Sequence, residues 1–164
     1  MLSKMCIEAA NYIIKKTNDF NKKNAYSKQI SLTCKRLQKL LYFSDIKYMQ
    51  THDGKSMFSD EFHAWPSGPV IPSVYHQFMQ YQNGEMKPLE DGYHTPITKD
   101  MESAIDSILK ETNNMDTQDL VLFSHIGGGP WAKAYNINDP DHKQVISKEE
   151  MSIFYRKNPI FNNV

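Results

Sequence analysis

From residue 33 to residue 51 the chain reads TCKRLQKLLYFSDIKYMQT, in which Leu37, Leu40, Leu41, Ser44 and Tyr48 recur at three- and four-residue steps. That spacing lines up side chains on one helical face. It predicts a central core helix, N-capped by Ser31 or Thr33, with Lys35, Arg36, Lys39 and Lys47 lying mostly off the apolar stripe. Upstream, Leu2, Met5, Cys6, Ala9, Tyr12 and Ile13 carry the same period and predict a helix to about Lys16. The polar, asparagine-rich stretch 18–28 reads as a loop between the two.

Past the HDGK turn the pattern changes. Residues 57–65 hold Phe58, Phe62, Ala64 and Trp65 without helical period, which suggests one or two short strands. A turn is expected over 67–69. Pro72 suits a first helical position, where its missing N–H would be unpaired anyway, and Val74, Tyr75, Phe78 and Tyr81 carry that helix towards Gly84. A loop over 85–97 precedes Thr98, a cap for a helix striped by Met101, Ala104, Ile105, Ile108 and Leu109. Asp116 or Thr117 opens the segment LVLFSHI, which GGGP at 127–130 ends, and a short helix WAKAY follows. Ser147 with Glu150 three residues on forms a capping box for a last helix that Pro159 stops. The expected fold is mainly α: a single-domain helical bundle over residues 1–164 with a small β element around 57–65.

Composition fits that picture without adding a partner. Apolar residues are 40% of the 164 and charged ones 23%, so the chain can bury one core. Lysine plus arginine equals aspartate plus glutamate at 19 each, so no net charge draws the protein towards nucleic acid or an anionic membrane. No apolar run reaches membrane-spanning or signal-peptide length, and a cytoplasmic, non-membrane protein is expected. Cys6 and Cys34 form no C-x-x-C pair, which argues for reduced thiols rather than a disulfide framework or a cysteine-rich zinc site.

Candidate chemistry is sparse. The six histidines include no helical i, i+4 pair, although folding could gather His63, His76 and His125 around a metal; ordinary buried or surface histidines are the simpler reading. GGGP lacks the lysine and hydroxyl of a phosphate loop and reads as a helix stop before a Pro-initiated helix. Ser67 does not sit in a nucleophile elbow, and adjacent Asp60 and Glu61 point to opposite faces of a strand. No catalytic residue, cofactor or metal is therefore assigned. A basic face of Lys35, Arg36, Lys39 and Lys47, helped by Lys15, Lys16, Lys22 and Lys23, could contact phosphates. A solvated helix face explains the same lysines.

The order of motifs says more than any one of them. Arg36-Leu37-Gln38-Lys39-Leu40-Leu41-Tyr42-Phe43, then Ala64-Trp65-Pro66-Ser67-Gly68-Pro69-Val70, then His125 through Trp131, resemble the Panacea domain of the SocA-like antitoxins and GepA-type phage-associated proteins, over about residues 31–157. Four residues separate His125 from Pro130, one more than the family's turn. The resemblance implies a mainly helical antitoxin domain that neutralises a cognate protein toxin, by binding it or by delivering it to a AAA+ protease such as ClpXP. It marks Leu37, Lys39, Leu40, Tyr42, Ala64, Trp65, Gly68, Pro69, Val70, Tyr75, His125, Pro130 and Trp131 as signature residues, structural or partner-binding. The alternative from another class is a phage or mobile-element regulator binding nucleic acid through the second helix; nucleic acid is the less expected partner.

Two physical expectations follow from the residue types. At least one of Trp65 and Trp131 should be mostly buried, against Leu40, Leu41 or Phe43, with a partner for its indole N–H. Met49, Met57, Met79, Tyr75 and Tyr81 are candidate interface anchors, or simply core.

Overall fold

The computed structural model of the chain describes residues 5–81, 85–89 and 96–161. Seven α-helices and one small sheet are present among them: α1 Met5–Lys23, α2 Cys34–Thr51, β1 Phe62–Trp65, β2 Gly68–Val70, α3 Pro72–Phe78, α4 Lys99–Thr112, α5 Thr117–Ser124, α6 Pro130–Ala134, β3 Val145–Ile146 and α7 Lys148–Lys157. The fold is mainly α with a minor β element, as the periodicities indicate.

Helix α2 is the hub, packing against α1, α3, α4, α5, α7 and β2. Its N-cap is Thr33, whose Oγ1 accepts from the Arg36 N–H. Leu37, Leu40, Leu41, Tyr42, Phe43 and Ile46 are all essentially without solvent contact. Leu40 to Phe43 is a run of four apolar residues, more than one face of a helix can hold, so α2 must be covered on every side. Several of its polar positions are covered with the rest: Arg36 is 3% exposed, and Lys39 and Asp45 0%.

The first helix runs seven residues beyond the end expected near Lys16. Residues 18–23, expected as loop, continue α1 because asparagine amides hold neighbouring backbone. The Asn18 amide donates to Met86 O (3.1 Å), and Asn21 both donates to Ile30 O (2.9 Å) and accepts from Ile30 N (2.8 Å). Asn11 makes the same reciprocal pair with Leu89. These contacts are polar, so hydrophobic period cannot report them.

The sheet is antiparallel in the order β2-β1-β3. Two corrections concern it. Strand β1 occupies only the end of the 57–65 stretch, and the turn lies at Pro66 and Ser67, so Gly68 and Pro69 are strand rather than turn. The two-residue β3 pairs Ile146 with Phe62, a long-range partnership too short to leave a periodic signal. The helices opened by Pro72, Thr98, Asp116, Pro130 and Ser147 start where their caps place them. Helix α3 passes into a single 3-10 turn at Met79–Tyr81; its expected end near Gly84 lies outside the described residues, as does part of the 85–97 loop.

Candidate functional site

The hairpin β1–β2 lies across α2, and the contact is made by main chain. Gln38 clamps the strand exit: its Oε1 accepts from Ile71 N (2.8 Å) and its Nε2 donates to Ile71 O (3.4 Å). One residue on, the Lys39 amine donates to Pro69 O (3.1 Å). Gly68 is at φ +118°, a backbone conformation nearly closed to other residues. A Cβ there would lie 2.5 Å from Lys39 Cε and 2.8 Å from Ser124 Oγ. Glycine is thus required twice over, for its backbone angle and for room above the lysine.

The turn between α5 and α6 closes the other side. His125 is the C-cap of α5, its N–H shared between Val121 O and Leu122 O at 3.1 Å each. Gly128 adopts φ +75°, Gly129 caps α6 and Pro130 is its first residue, which brings the chain back on itself. Trp131 consequently stacks face to face on His125, ring centroids 3.7 Å apart and planes 5° from parallel. The Trp131 indole donates to Trp65 O (2.8 Å), tying this turn to β1. On the outer side Tyr135 stacks on Trp131 at 4.7 Å.

Electrostatically the centre of the arrangement is Lys39. Burial, and then the like charge of Lys35, push its amine down to about 7. Burial, then Lys39, also hold the His125 imidazole below its ordinary value, and the buried His125 Nε2 has no hydrogen-bond partner among the described residues. Beside Lys39 opens a pocket of about 260 Å³ whose walls include Lys35, Trp65, Val70 and Tyr75. Trp65 meets Tyr75 edge to face at 5.1 Å.

The signature residues therefore divide. Leu37, Leu40, Tyr42, Ala64 and Val70 are core; Tyr42 packs edge-on against Phe43, Phe62 and Tyr155, and burial raises its phenol well above the ordinary value. Lys39, Gly68, Pro69, His125, Pro130 and Trp131 form the joint between α2, the hairpin and the α5–α6 turn, with Trp65 and Tyr75 half-buried at its edge. Trp131 is the buried tryptophan, at 9% exposure, and its ring neighbours are His125 and Tyr135.

Several expectations change here. The proposed basic face loses Arg36 and Lys39, because Arg36 turns inward to cap the end of α4, donating to Thr112 O (3.0 Å) and Met115 O (2.8 Å). Lys47 pairs with Glu111 at 3.6 Å. Met49 and Met57 are core rather than interface anchors, while Met79 is exposed and Tyr75 and Tyr81 are half-buried. No group of three or more His, Cys, Asp or Glu side chains able to hold a metal occurs among the described residues. Cys6 and Cys34 are both buried free thiols. None of the described helices is long and apolar enough to cross a membrane.

A second polar joint on α2 left no trace in the motif reading. Asp45 accepts from Met57 N (2.8 Å), from Ser56 Oγ (2.8 Å) and from Lys148 Nζ (2.7 Å), and so fastens both the chain after α2 and the start of α7. The available signal was the apolar run around it: polar residues on a helix covered on all sides must each find a partner.

Residues 37–132, more than half of the chain, match the family described as antitoxin SocA-like, Panacea domain. The antitoxin SocA of Caulobacter vibrioides is 34% identical over 107 residues, which cover 58% of this chain and 55% of that protein. The match thus spans about half the length of this curated relative. No solved structure matches. The matched span runs from α2 through the hairpin to Trp131, the elements that meet around Lys39, and the chain belongs to the SocA-like antitoxin family that carries the Panacea domain.

Proposed function

We propose that this protein is an antitoxin that neutralises a partner protein toxin by recognition rather than turnover, holding the toxin directly or presenting it to a AAA+ protease. The observation that supports this most is the family match over residues 37–132. The surface is compatible with a protein partner: Leu122 on α5, Ile153 on α7 and Ile137 beyond α6 are large apolar side chains left in solvent. Phosphate contact through α2 has less to work with, since two of its four cations face inward.

Co-expression with the protein encoded by the neighbouring reading frame tests the proposal. Rescue from that protein's toxicity together with co-purification is the expected result; neither rescue nor complex would overturn it. Repeating the rescue in a host lacking ClpX separates the routes. Rescue that persists supports direct holding, and rescue that vanishes while the toxin's lifetime lengthens supports delivery.

A further inference from the structure

The turn that joins α5 to α6 is held closed on its inner side and free on its outer one. Inside, the His125 ring lies flat on Trp131, and the Trp131 indole donates to Trp65 O (2.8 Å). Outside, a Cβ built at Gly127 or Gly128 would meet nothing within 4 Å, and both glycines are exposed. Gly129 behind them is crowded by Ile126 and Phe154, so the part of the turn with room to move is 127–128.

His125 is the titratable group at the centre of this closure, and its Nε2 is buried without a hydrogen-bond partner among the described residues. The surroundings supply no counter-charge. Helix α2 presents Lys39, itself a cation; α6 presents the Trp131 ring with Tyr135 stacked behind it; the hairpin presents the Trp65 carbonyl, already taken by the indole. His63 stands on the same outward face of β1 as Trp65, and Lys133 of α6 is engaged with Glu150 of α7 at 3.1 Å. A proton on Nε2 therefore finds no acceptor while the turn is closed, and a buried charged donor left unpaired is costly. Burial, and then Lys39, accordingly hold the imidazole below its ordinary value. With the turn open and the ring in water the proton binds more readily, so falling pH favours the open turn.

We propose that the α5–α6 turn is an acid-sensitive latch, in which protonation of His125 parts its ring from Trp131, carries Nε2 to solvent and releases the indole from the Trp65 carbonyl. The charged ring keeps its place at the C-terminus of α5, an end that favours a cation. Gly127 and Gly128 supply the backbone freedom for the swing. Opening is a property of the chain by itself, whatever partner it has.

The full chain is followed by NMR from about pH 7 to about pH 4.5, reading the His125 ring shifts and the exchange protection of the Trp131 indole N–H. Trp65→Phe, which keeps the acceptor carbonyl, identifies the Trp131 signal. The His125 ring is expected to titrate below the ordinary histidine value, with indole protection falling at least ~10-fold over the same range while the amides of α2 stay protected. His125→Gln, which cannot charge, should hold that protection constant with pH. Lys39→Met, which removes the like charge, should move both changes to higher pH. A ring that stays neutral down to about pH 4.5, a ring that charges while the indole stays protected, or a loss of protection that persists in His125→Gln would each overturn the proposal.

Discussion

Lys39 and Asp45 are both fully buried on the same helix, and they are treated differently. Asp45 is surrounded: a main-chain N–H, a hydroxyl and an ammonium all donate to its carboxylate, and the Lys148 that balances it lies over the Phe58 and Phe62 rings. Among the described residues Lys39 has one carbonyl and no carboxylate. Both ions were taken out of water at considerable cost. For Asp45 that cost is offset locally, which makes its joint structural. For Lys39 the offset is incomplete, and burial holds its amine well below the ordinary lysine range instead.

The comparison can be broken first at Asp45. Asp45→Ala leaves the Met57 N–H and the Lys148 ammonium without their acceptor, and should cost about 3–5 kcal/mol in urea denaturation. Adding Lys148→Met should recover part of the loss, since the stranded charge is then gone. A loss below about 1 kcal/mol for the single variant would mean that the joint is not structural.

At the other joint the next largest effect belongs to Gly68→Ala, expected to cost about 2–4 kcal/mol from the φ of +118° and the crowding against Lys39 and Ser124. Shortening the lysine removes its share of the crowding and leaves that of Ser124. The pair Gly68→Ala with Lys39→Ala should therefore be less destabilising than the sum of its singles by about 1 kcal/mol. Strict additivity would show that Lys39 has no part in holding Gly68.

How the two joints appear in the sequence differs for a physical reason. Helix stripes and caps are local, so Thr33, Thr98, Asp116 and Ser147 mark their helices plainly, and the apolar run Leu40 to Phe43 marks α2 as core. Gly68, Pro69 and Trp131 stand out as motif residues, yet their roles do not. Gly68 is explained by a lysine 29 positions earlier, and Trp131 by the Trp65 carbonyl. Asp45, Gln38 and Arg36 were illegible as joints because their partners lie on separate segments, at Ser56 and Lys148, at Ile71, and at Thr112 and Met115. Reading Arg36 and Lys39 as a solvated basic face assumed that a charged residue off the apolar stripe faces water. On a helix packed against five others that holds only towards its ends, at Lys35 and Lys47, and not at Arg36 and Lys39.

The smallest effect sharpens the comparison most, because it reads the charge of Lys39 directly. Its amine is pushed down from 10.5 in the unfolded chain to about 7 in the fold. Between those values the unfolded state binds more protons than the folded one, so stability rises with pH. The full contribution is present above the unfolded value, is lost progressively as pH falls towards 7, and changes no further below it. Its charged and titratable neighbours are Lys35 on the same helix and His125 on the α5–α6 turn, the latter held below its ordinary value by burial and then by Lys39. From pH 7 to 8.5 the wild type should gain about 1.5 kcal/mol relative to Lys39→Met, whose side chain cannot titrate, with buried cysteines and tyrosines cancelling in the difference. A flat difference would show that Lys39 stays charged in the fold and has found its counter-charge within the protein, which would make its joint the equal of the one at Asp45. A rising difference would show that the joint at Lys39 holds its amine without a counter-charge, unlike the one at Asp45.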